Sequence, residues 1–192
     1  MNEQQRAYVL RSVEERGVRL IRLWFTDVLG NLKSMAISPP ELDNALSDGL
    51  TFDGSSIDGF SRVQEADVLA IPDPDTYELL PWADPSAPEA RIFCDIHRLD
   101  GEPFEGDPRQ VLRRHVRAAH EAGLTFYLAP DIEFFYFEPP VRGEAPVPFD
   151  EGGFFDHTMN DVTGELRKTT IRTLETMGIP VEYSFHEDAP GQ

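Results

Sequence analysis

The chain has 192 residues, a formal net charge of −18, 40% hydrophobic residues and 27% charged residues. Those proportions exclude disordered and fibrous classes, and the length buries enough surface for one large domain or two small ones. The negative charge repels a phosphate backbone, which excludes nucleic acid as a partner and implies bound cations wherever an anionic substrate docks.

The opening stretch MNEQQRAYVLRSVEERG lacks the basic start and apolar centre of a secretory signal, and no run approaches the roughly 18 apolar residues of a membrane helix. A cytoplasmic protein with no membrane partner is expected. Cys94 is the sole cysteine, so there is no internal disulfide or thiolate cluster, and a metal would be held by oxygen or histidine.

In chain order, Ala7, Leu10 and Val13 predict a short helix that stops near Gly17. VRLIRLWF (18–25), the turn DVLGN and then KSMAI predict a β-hairpin. SPPE (38–41), with an N-cap serine, a first-turn proline and a glutamate three residues on, predicts a helix to about Ser47. LTFDGSSIDGFSRVQEAD (50–67) has no periodic apolar face and predicts a long structured loop. DVLAI, a turn at PDPDTY, LLPW and the strand ARIFCDI (90–96), with Ile92, Cys94 and Ile96 on one face, complete a small mixed sheet. DGEPFEGDPR (100–109) is the expected boundary, giving domains 1–102 and 103–192.

The second domain repeats a helix-then-strand unit. Asp107 caps a helix with Pro108 at its first position, a stripe of Val111, Leu112, Val116 and Ala119, and Gly123 at its end. The strand LTFYLAPDIEFFYF follows. A helix over 162–177 ends at Gly178 and leads into the strand IPVEYSFHE (179–187). Between the units, the prolines and glycines of 138–156 predict an exposed loop.

Within APDIEFFYFEPP, strand geometry puts Asp131 and Glu133 on one face, with Cα atoms about 6.5–7 Å apart, and sends Ile132, Phe134 and Tyr136 into the core. Two charges that close in a partly buried site call for a cation. If Glu187 approaches from a neighbouring strand, three oxygen ligands suit Mg²⁺ or Mn²⁺. A solvated edge-strand face paired with arginines explains the same acids, and His186 reads equally as a satisfied core or surface residue. FDGSSIDGF (52–60), taken alone, is a glycine–serine turn with an Asx cap. No GxxxxGK[ST] phosphate loop is present.

FDGSSIDGF, APDIEFF (129–135) and FHEDAPGQ (185–192), in this order and spacing, resemble the N-terminal part of bacterial glutamine synthetases; RLWFTDVLGNLKSMAI, DPRQVLRR and GGFFD fit the same family. The resemblance runs over nearly all of the chain. It implies an α+β fold: a β-grasp-like N-terminal domain followed by the incomplete start of an antiparallel-sheet catalytic domain. It also implies a homo-oligomer with active sites shared between subunits. The implied reaction is ATP-dependent: glutamate is phosphorylated on its side-chain carboxylate and ammonium supplies the amine that displaces phosphate, giving glutamine. ATP is then a substrate, and the cofactors are Mg²⁺ or Mn²⁺, two or more per site. By motif, Glu133 and Glu187 match ligands of the cation that organises glutamate, and Asp131 a ligand of the cation on the nucleotide phosphates. Asp53 and Ser56 match residues delivered to a neighbouring subunit's ammonium site, with Asp67 as a companion acid.

Two positions depart from the family pattern. Asp131 stands where the common motif has glutamate, so its carboxylate is one methylene shorter and a water fills the gap. Phe185 replaces a histidine common before HE, which keeps open a γ-glutamyl-amine or polyamine ligase of the same family. The chain also stops inside a motif that the family continues. It is therefore expected to be inactive alone, either as part of a longer enzyme or as a truncated, non-catalytic paralogue acting as an interaction module.

Overall fold

The computed structural model describes residues 3–54, 57, 67–157 and 163–192. Its chain divides into two compact units, Met1–Phe126 and Tyr127–Gln192.

In the first unit, helix α1 (Glu3–Glu15) precedes the hairpin of β1 (Leu20–Thr26) and β2 (Leu32–Ile37). The expected helix is present but turned: Val9 and Val13, four residues apart, are buried, while Ala7 faces solvent. The hairpin is antiparallel, pairing Ile21 with Ile37 and Thr26 with Leu32. Buried Asp27 closes its turn, accepting hydrogen bonds from the amides of Leu29 (3.0 Å) and Asn31 (2.8 Å).

Ser38 makes no side-chain cap, and the proline pair forms a 3₁₀ turn (Pro39–Glu41) that runs into α2 (Leu42–Asp48). Pro40 lacks one amide that a capping serine could bond, and the Glu41 amide donates to the Ser38 carbonyl instead (3.0 Å), so the turn tightens first. The region expected to be one loop contains strands at both ends: β3 (Leu50–Asp53) and β4 (Asp67–Pro72) pair antiparallel, Leu50 opposite Ala70 and Asp53 opposite Asp67. Period-two alternation in LTFD is too short to outweigh the glycine and serine that follow, so the pairing is invisible without its partner strand.

A 3₁₀ turn (Pro74–Thr76), β5 (Glu78–Leu79) and β6 (Glu89–Arg98) complete the sheet. Its order is β2-β1-β6-β4-β3, with β5 also on β6. β1 and β6 run parallel at its centre, and β4 and β6 antiparallel. Ala90, Ile92, Cys94 and Ile96 of β6 are fully buried against Ile21 and Leu23 of β1, with α1 and α2 contributing Val9, Val13, Leu42 and Leu46. Burial pushes the Cys94 thiol well above its ordinary range, which leaves it protonated and unreactive.

Helix α3 (Pro108–Glu121) is fastened to this unit by ions and a cap rather than by its apolar stripe. Arg109 reaches Asp95 (2.9 Å) and Asp73 (2.7 Å), and Arg113 shares both carboxylates (3.0 and 2.7 Å). The stripe is only half covered: Leu112 is 60% and Val116 46% exposed, while Val111 and Ala119 are partly buried. Asp107, 1% exposed, accepts the amide of Arg109 at the helix start and that of Ile96 in β6 (3.0 and 2.8 Å). Asp107→Ala removes the cap and strands the buried Ile96 amide, so it is expected to destabilise the first unit by about 1–3 kcal/mol. Urea denaturation of the variant against the parent chain measures the loss.

In the second unit, α4 (Thr163–Thr176) is the expected helix, ending short of Gly178. Neither predicted strand forms: 124–137 and 179–187 are irregular, apart from one bridge between Phe137 and Pro148. Ile132 (75%) and Phe134 (42%) are exposed rather than in a core. Alternating apolar residues describe a surface that needs a neighbour, and a strand is defined by hydrogen bonds to another strand. Among the described residues these segments have no such neighbour.

Candidate functional site

The expected site residues fall into two groups, one per unit. In the first, the register of β3 and β4 sets Asp53 directly opposite Asp67, with both residues exposed. Like charges facing each other across an antiparallel pair destabilise it, and a cation between them relieves the repulsion. Ser56 lies outside the described residues.

In the second unit Asp131 and Glu133 are exposed, and no group of three or more histidine, cysteine, aspartate and glutamate side chains among the described residues is placed to hold a metal ion. Asp131, Glu133 and Glu187 are therefore not assembled into a three-carboxylate site. The structure instead ties Glu133 and Glu187 to one residue, Gln192. Its Nε2 donates to Glu133 Oε2 (2.9 Å), and its carbonyl accepts the Glu187 amide (3.1 Å). Both acids offer hard oxygen donors of the kind that suit Mg²⁺ or Mn²⁺, and Mg²⁺ commonly keeps several waters and takes only one or two protein carboxylates.

The arrangement beneath these acids was not apparent from sequence. His186 is 2% exposed. Its Nδ1 lies 2.7 Å from the Glu187 carbonyl and its Nε2 lies 3.0 Å from Asp150 Oδ1. Both neighbours are acceptors, so both ring nitrogens carry hydrogen and the imidazolium is the form that satisfies the site. Burial opposes that charge, but the hydrogen bonds to Glu187 and Asp150 outweigh it and raise the His186 pKa above its ordinary 6.5. Burial likewise works against the Asp150 carboxylate, yet bonds from His186, Gly191 and Gly152 hold its pKa below 3.8.

Asp150 collects four donors. Oδ1 accepts His186 together with the amides of Gly191 (2.8 Å) and Gly152 (3.1 Å), and Oδ2 accepts the Thr163 hydroxyl (3.5 Å). Two glycines make this packing possible. A Cβ on Gly152 would fall 2.6 Å from His186 Nε2; one on Gly191, at φ +74°, would fall 2.6 Å from the Tyr136 carbonyl. The sequence signals were an acid followed by two glycines in DEGG, within the segment expected to be an exposed loop, and the proline–glycine of APGQ, within the motif FHEDAPGQ.

An aromatic cluster flanks His186. Phe185 meets Phe155 at 4.7 Å, Phe154 at 5.6 Å and Tyr183 at 6.0 Å between ring centres. Phe155 has φ +60°, uncommon for a bulky residue, and its amide bonds the His186 carbonyl (2.9 Å).

Comparison with known proteins places both units. Residues 17–99 match the family model described as glutamine synthetase, beta-Grasp domain, and residues 105–192 match glutamine synthetase, catalytic domain. The chain is 52% identical to glutamine synthetase of Mycobacterium tuberculosis and 45% identical to that of Thermotoga maritima, over 99% and 96% of its own length. It spans 43% and 42% of those relatives. Among solved structures it resembles Plasmodium falciparum glutamine synthetase (TM-score 0.79, 18% identity, 97% of this chain and 42% of that one). Apo GmaS is also similar (TM-score 0.77, 23% identity, 95% and 42%). At those identities the structural likeness concerns the fold.

Proposed function

The chain belongs to the glutamine synthetase family, and from that premise we propose that it serves an ATP- and divalent-cation-dependent ligase that joins ammonia to glutamate to give glutamine. In this reading the protein works in the cytoplasm as a homo-oligomer with shared active sites. The observation that carries the amine half is the placement of Asp53 opposite Asp67.

The glutamate side-chain carboxylate attacks the terminal phosphorus of ATP, releasing ADP; ammonia then attacks the acyl phosphate, and phosphate leaves. A bound divalent ion supplies charge neutralisation to the phosphate oxygens. Asp53 and Asp67 draw in NH₄⁺, and Asp53 accepts the proton that frees the nitrogen lone pair, with Ser56 beside it. Glu133 and Glu187 would hold a cation on the glutamate side, and Asp131 one on the nucleotide side.

A second reading rests on the aromatic cluster around Phe185. Such a wall suits the carbon of an alkylamine better than bare ammonium. The discriminating assay follows ADP and amide product from the full-length protein with glutamate, ATP and Mg²⁺, offering ammonium, methylamine or putrescine. Ammonium-dependent glutamine is expected; product with methylamine or putrescine alone would transfer the assignment to an amine ligase. Residues 1–192 alone, which span 43% of a relative, are expected to release no ADP above a Glu133→Ala control.

A further inference from the structure

We infer that Asp150 is a positioning residue that sets the separation of Glu133 and Glu187 by anchoring the turn over residues 186–192. The inference rests on the ligase reading for the role of those two glutamates, but its geometry stands without it. Asp150 Oδ1 holds the turn at both ends, through His186 Nε2 (3.0 Å) and the Gly191 amide (2.8 Å). Gly191 in turn accepts the Tyr136 amide (2.7 Å), and the Tyr136 carbonyl accepts the Phe149 amide (3.0 Å), one residue from Asp150. The loop of 148–152, the segment that carries Glu133 and the turn that carries Glu187 thus close into one ring of hydrogen bonds.

Gln192, next to Gly191, is the residue that touches both acids. Releasing Gly191 therefore loosens this joint, which links the Glu133 carboxylate to the Glu187 backbone amide through Gln192. Because the Asp150 side chain is only 7% exposed and each of its oxygens has a donor, it is not available to a ligand itself. It acts through the residues it holds. Carboxylate oxygens accept several donors at once, which explains why an aspartate, and not a hydroxyl, occupies the centre.

Hydrogen exchange and Mn²⁺ calorimetry on the 192-residue chain test this. Asp150→Ala should speed exchange at the Gly191 and Glu187 amides by at least about tenfold, while α4 and β6 keep their protection. Asp150→Asn, which retains an acceptor oxygen, should keep Gly191 close to its parent rate. Mn²⁺ binding should weaken by about 10- to 100-fold in Asp150→Ala, the usual effect of losing a group that orients a ligand. Should Asp150→Ala also unfold α4, Gly191→Ala opens the same joint from its other side and must show the same paired loss. Unchanged Gly191 exchange in Asp150→Ala, or equal acceleration in Asp150→Asn, would overturn the inference. Mn²⁺ binding left intact in Glu133→Ala would instead overturn the metal reading, with the exchange result still deciding the role of Asp150.

Discussion

Asp53→Ala in the full-length protein is expected to depress ammonium-dependent glutamine formation by about 10²- to 10⁴-fold, the usual contribution of a positioned general base. The structural reason is the register of β3 against β4, which sets Asp53 and Asp67 opposite each other at the exposed end of the pair. If the pair is the proposed ammonium site, removing one carboxylate weakens the attraction for NH₄⁺ and deletes the proton acceptor. Glutamate activation precedes that step, so binding of glutamate and ATP should change little. Slow ADP release through attack of water on the activated glutamate should persist. Asp67→Asn offers an internal comparison: if Asp67 supplies only charge, its loss should raise the ammonium KM more than it lowers kcat. The measurement is glutamine formation against ammonium concentration with ADP followed in parallel. Kinetic constants within a few-fold of the parent in Asp53→Ala would reduce that residue to a turn-former.

Ile92→Ala should destabilise the first unit by about 2–5 kcal/mol, a large part of the stability of a small domain. Ile92 is fully buried at the centre of β6, the strand that pairs with β1, β4 and β5. The cavity left there opens between the parallel β1–β6 pair and the helices, where close packing lets little relax. The expected result is a lower urea midpoint with the same slope. A loss under about 1 kcal/mol would mean that the sheet collapses around the gap more easily than a central strand should.

Ile92 also shows what a single chain of letters can say. Alternation in ARIFCDI placed Ile92, Cys94 and Ile96 on one buried face, and all three are fully buried. The β1–β2 hairpin and the Asp107 cap were equally legible, because each depends on residues within a few positions of one another: a turn between two branched runs, and an aspartate before a proline. The α+β class and the family followed from motif order. Strand β3 was not legible, since LTFD becomes a strand only when β4 lies beside it, and the same dependence ran the other way for 124–137 and 179–187. Their apolar alternation promised strands, but a strand needs a continuous ladder of hydrogen bonds to another strand, and among the described residues those segments make only isolated bonds and one bridge. The site divides along the same line. Asp53, Asp67, Asp131, Glu133 and Glu187 stood out as acids in motifs. Asp150 did not, because its role depends on His186 and Gly191, which lie 36 and 41 residues away along the chain. Local periodicity and caps are short-range consequences of backbone geometry and can be read from sequence; which distant donors converge on one buried carboxylate is decided only when packing brings them within 3 Å.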